Sequence, residues 1–147
     1  MGMWIKTCLC ILFLCTVLSA MSGCNKDEYN IGEEFSLRIG ETAGIKGEQL
    51  QIRFLEVSED SRCPRNVTCV WEGRAVAVIE VLKGNTSQKI ELIEQGHTET
   101  LTTKQFEEYE FRFRMSPYPE ETEVQISSDE YRLMLIVNKE QKGQSSR

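Results

Sequence analysis

The sequence predicts an all-β fold, an antiparallel β-sandwich (Ig-like) or a partly open barrel of about seven or eight strands. Three observations carry this expectation. Apolar residues recur with period two from Phe35 onward, turn-forming residues fall at the breaks, and no long stretch has helical periodicity.

Each element follows from that pattern. Phe35, Leu37 and Ile39 alternate with polar neighbours, as do Leu50, Ile52 and Phe54. Ala75 to Leu82 (AVAVIEVL) is apolar at nearly every position and reads as a strand covered on both faces. Alternation resumes at Ile90 and Leu92, at Tyr109, Phe111, Phe113 and Met115, and at Tyr131, Leu133, Leu135 and Val137. Turns are expected at Gly44-Ile45-Lys46-Gly47, Gly84-Asn85, Gln95-Gly96-His97 and Ser116-Pro117-Tyr118-Pro119. Thr103 to Glu108 (TKQFEE) is the one stretch that reads as a short helical turn, with Thr103 as its cap.

The N-terminus reads as an export signal. Met1 to Lys6 carries one positive charge, and Thr7 to Ala20 is apolar and uncharged. That run is short of the about 20 apolar residues a spanning helix needs. Met21-Ser22-Gly23-Cys24 follows, and looks like the lipobox of bacterial lipoproteins, in which the cysteine is lipidated and becomes the new N-terminus. An ordinary signal cleaved after a small residue shares the same small-residue pattern. The organisation expected is therefore a lipoprotein signal peptide over 1–23, a lipidated Cys24 with a polar tether over 24–33, one sandwich domain over 34–138, and a loose tail over 139–147. Two or three acyl chains, at about 0.8 kcal/mol per buried methylene, anchor a protein stably on a membrane. Asn25, in place of the aspartate that resembles an inner-membrane retention signal, and Lys26-Asp27-Glu28, which looks like the charged tripeptide that sends some lipoproteins to the cell surface, favour the outer membrane, and its outer face, as the destination.

Compartment sorts the six cysteines. Cys8, Cys10 and Cys15 leave with the signal, Cys24 carries lipid, and Cys63 and Cys69 remain as a pair that an oxidising compartment joins in a disulfide. Five residues between them do not fit a dithiol redox centre, which spaces its cysteines by two at a helix start. A zinc site wants about four ligands, and the exported chain offers these two thiols and a single histidine, His97. No metal or other cofactor is expected. A net charge of −6 at pH 7 and the absence of a basic cluster argue against nucleic acid as a partner.

Within DSRCPRNVTCVWEGR, Pro64 and Asn66 suit a tight loop closed by the bridge. If the chain is extended from Cys69, Trp71 points the same way as the bridge and packs beside it in the core. Arg62 beside the loop and Arg65 within it, with Trp71 and with Tyr118, whose place between two prolines makes it the best candidate for an exposed ring, form the candidate ligand-binding set. One histidine must serve the whole chain, so a serine hydrolase is not indicated, and His97 in its Gly-His-Thr turn reads as a surface residue. A glycosidase-like carboxylate pair on distant strands stays open.

Asp60-Ser61-Arg62-Cys63-Pro64, then Cys69-Val70-Trp71 and Gly73, the Ser116-Pro117-Tyr118-Pro119 turn and Asp129-Glu130-Tyr131 together resemble a family of small bacterial lipoproteins and secreted proteins. The likeness spans about Glu33 to Lys139. It implies an architecture and a compartment and carries over no catalytic residue. The function expected is a non-enzymatic, lipid-anchored envelope domain binding an envelope protein, a glycan or a host molecule. The alternative is an inhibitor of a protease or lysozyme acting through the stapled loop 63–69.

Overall fold

A computed structural model describes residues 27–96, 100–122 and 124–140. The signal segment, Cys24, His97 and residues 141–147 lie outside them. The described chain forms nine strands: β1 (Asp27–Tyr29), β2 (Glu34–Arg38), β3 (Thr42–Ile45), β4 (Leu50–Asp60), β5 (Arg74–Lys83), β6 (Thr86–Gln95), β7 (Thr102–Phe106), β8 (Tyr109–Ser116) and β9 (Arg132–Lys139). They make a five-stranded sheet in the order β1-β3-β4-β5-β6 and a four-stranded sheet in the order β2-β9-β8-β7. All neighbours are antiparallel except β1 and β3.

The expected alternation sets the core. Ile52, Phe54, Ile79, Val81 and Leu92 point inward from the first sheet against Phe35, Leu37, Phe111, Phe113, Leu133, Leu135 and Val137 from the second. Burying each such side chain contributes about 1.5–3 kcal/mol, which makes this two-sheet interior the main source of stability. The loops between β4 and β5 and between β8 and β9 meet at one end of the sandwich.

Four details differ from expectation. Two short strands escape the period-two pattern because none of their residues is fully buried. One is β1, inside the stretch read as tether: Asp27–Tyr29 pairs with β3, and Tyr29 stacks on Phe35 with ring centroids 4.4 Å apart. Another is β7, which replaces the helical turn read at Thr103 to Glu108; Glu107 takes φ 52 and turns Phe106 directly onto Tyr109. Residues 139–140, assigned to the tail, belong to the fold: Lys139 ends β9, and the Glu140 amide donates to the Glu108 carbonyl. Finally, the outward residues Val78 and Leu82 of β5 are half-buried rather than covered. Their sheet neighbours shade them, and no second layer lies over that face among the described residues.

Candidate functional site

The β4–β5 connection, residues 61–73, is a long excursion from the sandwich, and its sequence fixes its shape. Beyond Asp60 the hairpin continues for a short way through Ser61 N–H to the Arg74 carbonyl and Cys63 N–H to the Glu72 carbonyl. The disulfide Cys63–Cys69 then closes the loop, with Cα atoms 5.9 Å apart. In the loop-entropy picture, bridging a ring of this size removes roughly 2.4 kcal/mol of unfolded-chain freedom. Gly73 holds the returning arm at φ +67, where its α-carbon passes directly over the Ser61 carbonyl.

A second loop braces the first. Arg65 N–H donates to the Pro119 carbonyl and Asn66 N–H to the Glu120 carbonyl, so the stapled loop lies backbone to backbone against residues 119–120. The Tyr118 hydroxyl donates to the Cys63 carbonyl at 2.8 Å, and its ring lies between the guanidinium groups of Arg62 and Arg65, 5.0 and 4.9 Å from its centroid. Tyr118 is thus half-buried and acts as a pillar, where the sequence suggested an exposed ring. Arg65 is exposed and pairs with Glu120 at 3.0 Å.

Arg62 is not on the surface. It is 3% exposed, and its Nε and one terminal nitrogen donate to the two Asp60 oxygens at 2.8 and 2.6 Å. The same group donates to the carbonyls of Met115 and Pro117, at 3.2 and 3.0 Å. The Tyr131 hydroxyl donates to Asp60 at 2.9 Å, and Glu94, also buried, accepts from the Met115 amide at 2.8 Å. One guanidinium thus ties β4, the β8–β9 loop and the base of the stapled loop together. The reason is geometric: at the hairpin's end the side chain of residue 62 turns back over the sandwich mouth, where a planar five-donor fork meets two fixed carbonyls and a carboxylate.

Electrostatics follow the burial. Desolvation opposes the charge on Arg62, yet the Asp60 hydrogen bonds and the charges of Asp60 and Glu94 hold its pKa above the ordinary value. Burial, with the hydrogen bond to and charge of Asp60, pushes the Tyr131 phenol up to about 12. Burial also raises Glu94, and the Met115 amide and Arg62 offset it only in part. A carboxyl that binds its proton more tightly in the folded chain stabilises the fold more as pH falls from neutrality through its raised pKa, and less when ionised. Glu94→Gln, which keeps an acceptor for Met115 and drops the charge, is therefore expected to melt no lower than the native protein at pH 7. It should also flatten the pH dependence of stability from there down to about pH 4. A marked loss of stability at pH 7 would show instead that the attraction to Arg62, 3.8 Å away, outweighs the burial of Glu94.

Comparison of the chain with protein families, with curated proteins and with solved structures found no match. The site therefore stands on its own geometry.

Its outer surface carries three exposed apolar side chains among polar ones. Trp71 is 83% and Val70 90% exposed, with Val67 at 42%. Trp71 does not pack beside the bridge. The extrapolation of strand alternation failed because β4 ends at Asp60 and β5 begins only at Arg74, so residues 69–72 lie outside any ladder. A shallow hollow of about 490 Å³ lies beside the indole, lined by Glu59, Ser61, Val70, Gly73 and Arg74. Part of its polar rim is self-paired: Arg74 donates to Glu59 at 2.7 Å, and the Ser61 hydroxyl donates to Glu59 at 3.0 Å. The arrangement presents a hydrophobic knob on a rigid support. Among the described residues no cluster of histidine, cysteine or carboxylate side chains is suited to a metal.

The predicted residues Arg62, Cys63, Arg65, Cys69, Trp71 and Tyr118 thus gather at one end of the sandwich, in roles that differ from residue to residue. Sequence reasoning missed Val67 and Val70 as surface residues and Glu94 as an inward one. For Glu94 the signal was present, since Ile90, Leu92 and Glu94 continue one alternation.

Proposed function

We propose that this protein is a lipid-anchored, non-enzymatic β-sandwich of the bacterial cell envelope that captures a partner with the stapled loop, Trp71 and Val70 forming the anchor. The observation that carries the proposal is the near-complete exposure of that adjacent pair on a loop whose backbone is fixed by a disulfide, by Gly73 and by the Arg62 cluster. Leaving a tryptophan in water forgoes its burial, and a preformed support means little ordering cost when a partner covers it. Tryptophan is also among the residues that most often dominate binding energy. The compartment rests on the lipobox at Cys24, with the outer membrane as the favoured destination and an envelope protein, glycan or host molecule as the partner class.

A second reading, inhibition of a protease or lysozyme, draws support from the same rigidity: a loop closed at 63–69 with Val67 projecting suits entry into a cleft. One experiment serves both readings. Trp71→Ala is expected to change unfolding stability by no more than about 0.5 kcal/mol, as for an exposed side chain. It should reduce partner capture in cells, measured by crosslinking, by roughly thirtyfold, the effect of losing a hot spot worth about 2 kcal/mol. The intact mass of the crosslinked protein reports whether Cys24 is acylated. Unchanged capture with an intact fold would reject the knob as the binding surface. Loss of inhibition against a hydrolase panel in the same variant would favour the inhibitor.

A further inference from the structure

The stapled loop has a neighbour of different chemistry. Along the outer edge of β4, β3 pairs only as far as Arg53, and the Phe54 backbone is closed by Gly40 and Glu41. From Leu55 to Asp60 the strand has a ladder partner only in β5, among the described residues. Facing this open edge are Pro119, Glu121, Val124 and Ile126 of the β8–β9 loop, and between the two walls runs a groove of about 710 Å³. That lies within the about 300–1,000 Å³ typical of ligand clefts.

The groove has an apolar lining and an acidic character. Ile39, Val57 and Ile126 line it half-buried. Its carboxylates are Glu56, Glu59, Asp60 and Glu121, against a single cation, Arg62. Arg62 is already held by Asp60, and Glu59 by Arg74. Glu56 and Glu121 are exposed and have no cation within ion-pair distance among the described residues. Bulges at Leu55 and Ser58 break the regular ladder with β5 and bend the strand, so a neatly registered added strand is disfavoured. An occupant must be held by its side chains.

We infer that this groove binds an extended, cationic segment of a partner polypeptide, whose lysine or arginine head groups meet Glu56 and Glu121 while aliphatic stems and apolar residues pack on Ile39, Val57 and Ile126. Long cationic side chains suit such a site because stem and head group have opposite preferences. The unpaired carboxylates select against acidic segments and against a second acidic copy of this chain. The inference is separate from the reading of the Trp71 knob.

The test uses the full chain in neutral detergent micelles and two labelled octapeptides, one alternating lysine with valine and one alternating glutamate with valine, followed by fluorescence anisotropy. The lysine peptide should bind with an affinity that falls as salt rises, and the glutamate peptide should not bind. Glu56→Gln with Glu121→Gln should weaken binding at least tenfold. Glu34→Gln with Glu91→Gln, which removes the same charge elsewhere, should leave it within twofold, as should Trp71→Ala. Failure of the lysine peptide to bind overturns the inference. So does equal weakening by the two charge pairs, which would mean that only net charge is sensed. Binding that appears only once the residues before Asp27 are removed would give the groove to the chain's own N-terminal segment, and a dimer dissociated by the peptide would give it to a second copy; both overturn it as well.

Discussion

Gly73→Ala is expected to cost the protein about 3–5 kcal/mol, a loss at the extreme of single substitutions. Two costs coincide at this position. The backbone sits at φ +67, which charges any L side chain about 1–2 kcal/mol, and a β-carbon would lie 1.8 Å from the Ser61 carbonyl oxygen, well inside contact distance. The Ser61 carbonyl cannot simply yield, because it belongs to the closing turn of the β4–β5 hairpin, where Ser61 N–H bonds to the Arg74 carbonyl and Gly96 N–H to that of Gly73. Gly47 supplies the control. Its φ is +77, but a β-carbon there meets nothing within 4 Å, so Gly47→Ala should cost only the conformational part, about 1–2 kcal/mol. Urea unfolding of the two variants separates the costs, and Gly73→Asn extends the comparison. Asparagine tolerates the left-handed region yet carries a β-carbon, so it should fail nearly as badly as alanine. A Gly73→Ala loss no larger than that of Gly47→Ala would mean that the loop base relaxes freely and does not hold Trp71 in place.

The legible and illegible parts of this chain divide by how strongly one face of each segment is buried. β2, β8 and β9 alternate cleanly because one face meets the core and the other meets water, and every second residue records which is which. β1 and β7 bury no residue fully and β3 buries three in a row, so Asp27–Tyr29, Thr42–Ile45 and Thr102–Phe106 leave no period of two. At the stapled-loop end the disulfide was legible from the cysteine count and the expected compartment, whereas the roles of the side chains around it were not. Arg62 and Arg65 have the same chemistry and lie three residues apart, yet one is buried in a network and the other is exposed. What separates them is tertiary: the carbonyls of Met115 and Pro117, more than fifty residues away, converge on residue 62 alone. Trp71 was misplaced for the converse reason, since no strand continues through residues 69–72 to impose an alternation.

That contrast sets the second expected result: Arg62→Met should destabilise the fold by about 3–5 kcal/mol, the usual loss when one partner of a buried ion pair is removed. The methionine roughly fills the volume of the arginine stem, so the cost is electrostatic. Asp60 keeps only the Tyr131 hydroxyl at 2.9 Å and the residue-62 backbone amide at 3.3 Å, and the Met115 and Pro117 carbonyls lose the guanidinium. Arg62→Lys keeps the charge but cannot serve both Asp60 oxygens and two carbonyls from one ammonium, so it should recover only part of the loss. Pairing Arg62→Met with Asp60→Asn removes the orphaned carboxylate and should be milder than Arg62→Met alone, the signature of coupled neighbours. Partner capture separates this positioning role from direct contact. If Arg62 acts through the loop, capture by these variants should fall in proportion to the folded fraction, and should return on cooling or at low denaturant wherever the fold returns. If Arg62 touched the partner, Arg62→Met would keep a stable fold and lose capture outright. The first pattern is the one that a fully buried guanidinium, with its donors already engaged, is built to give.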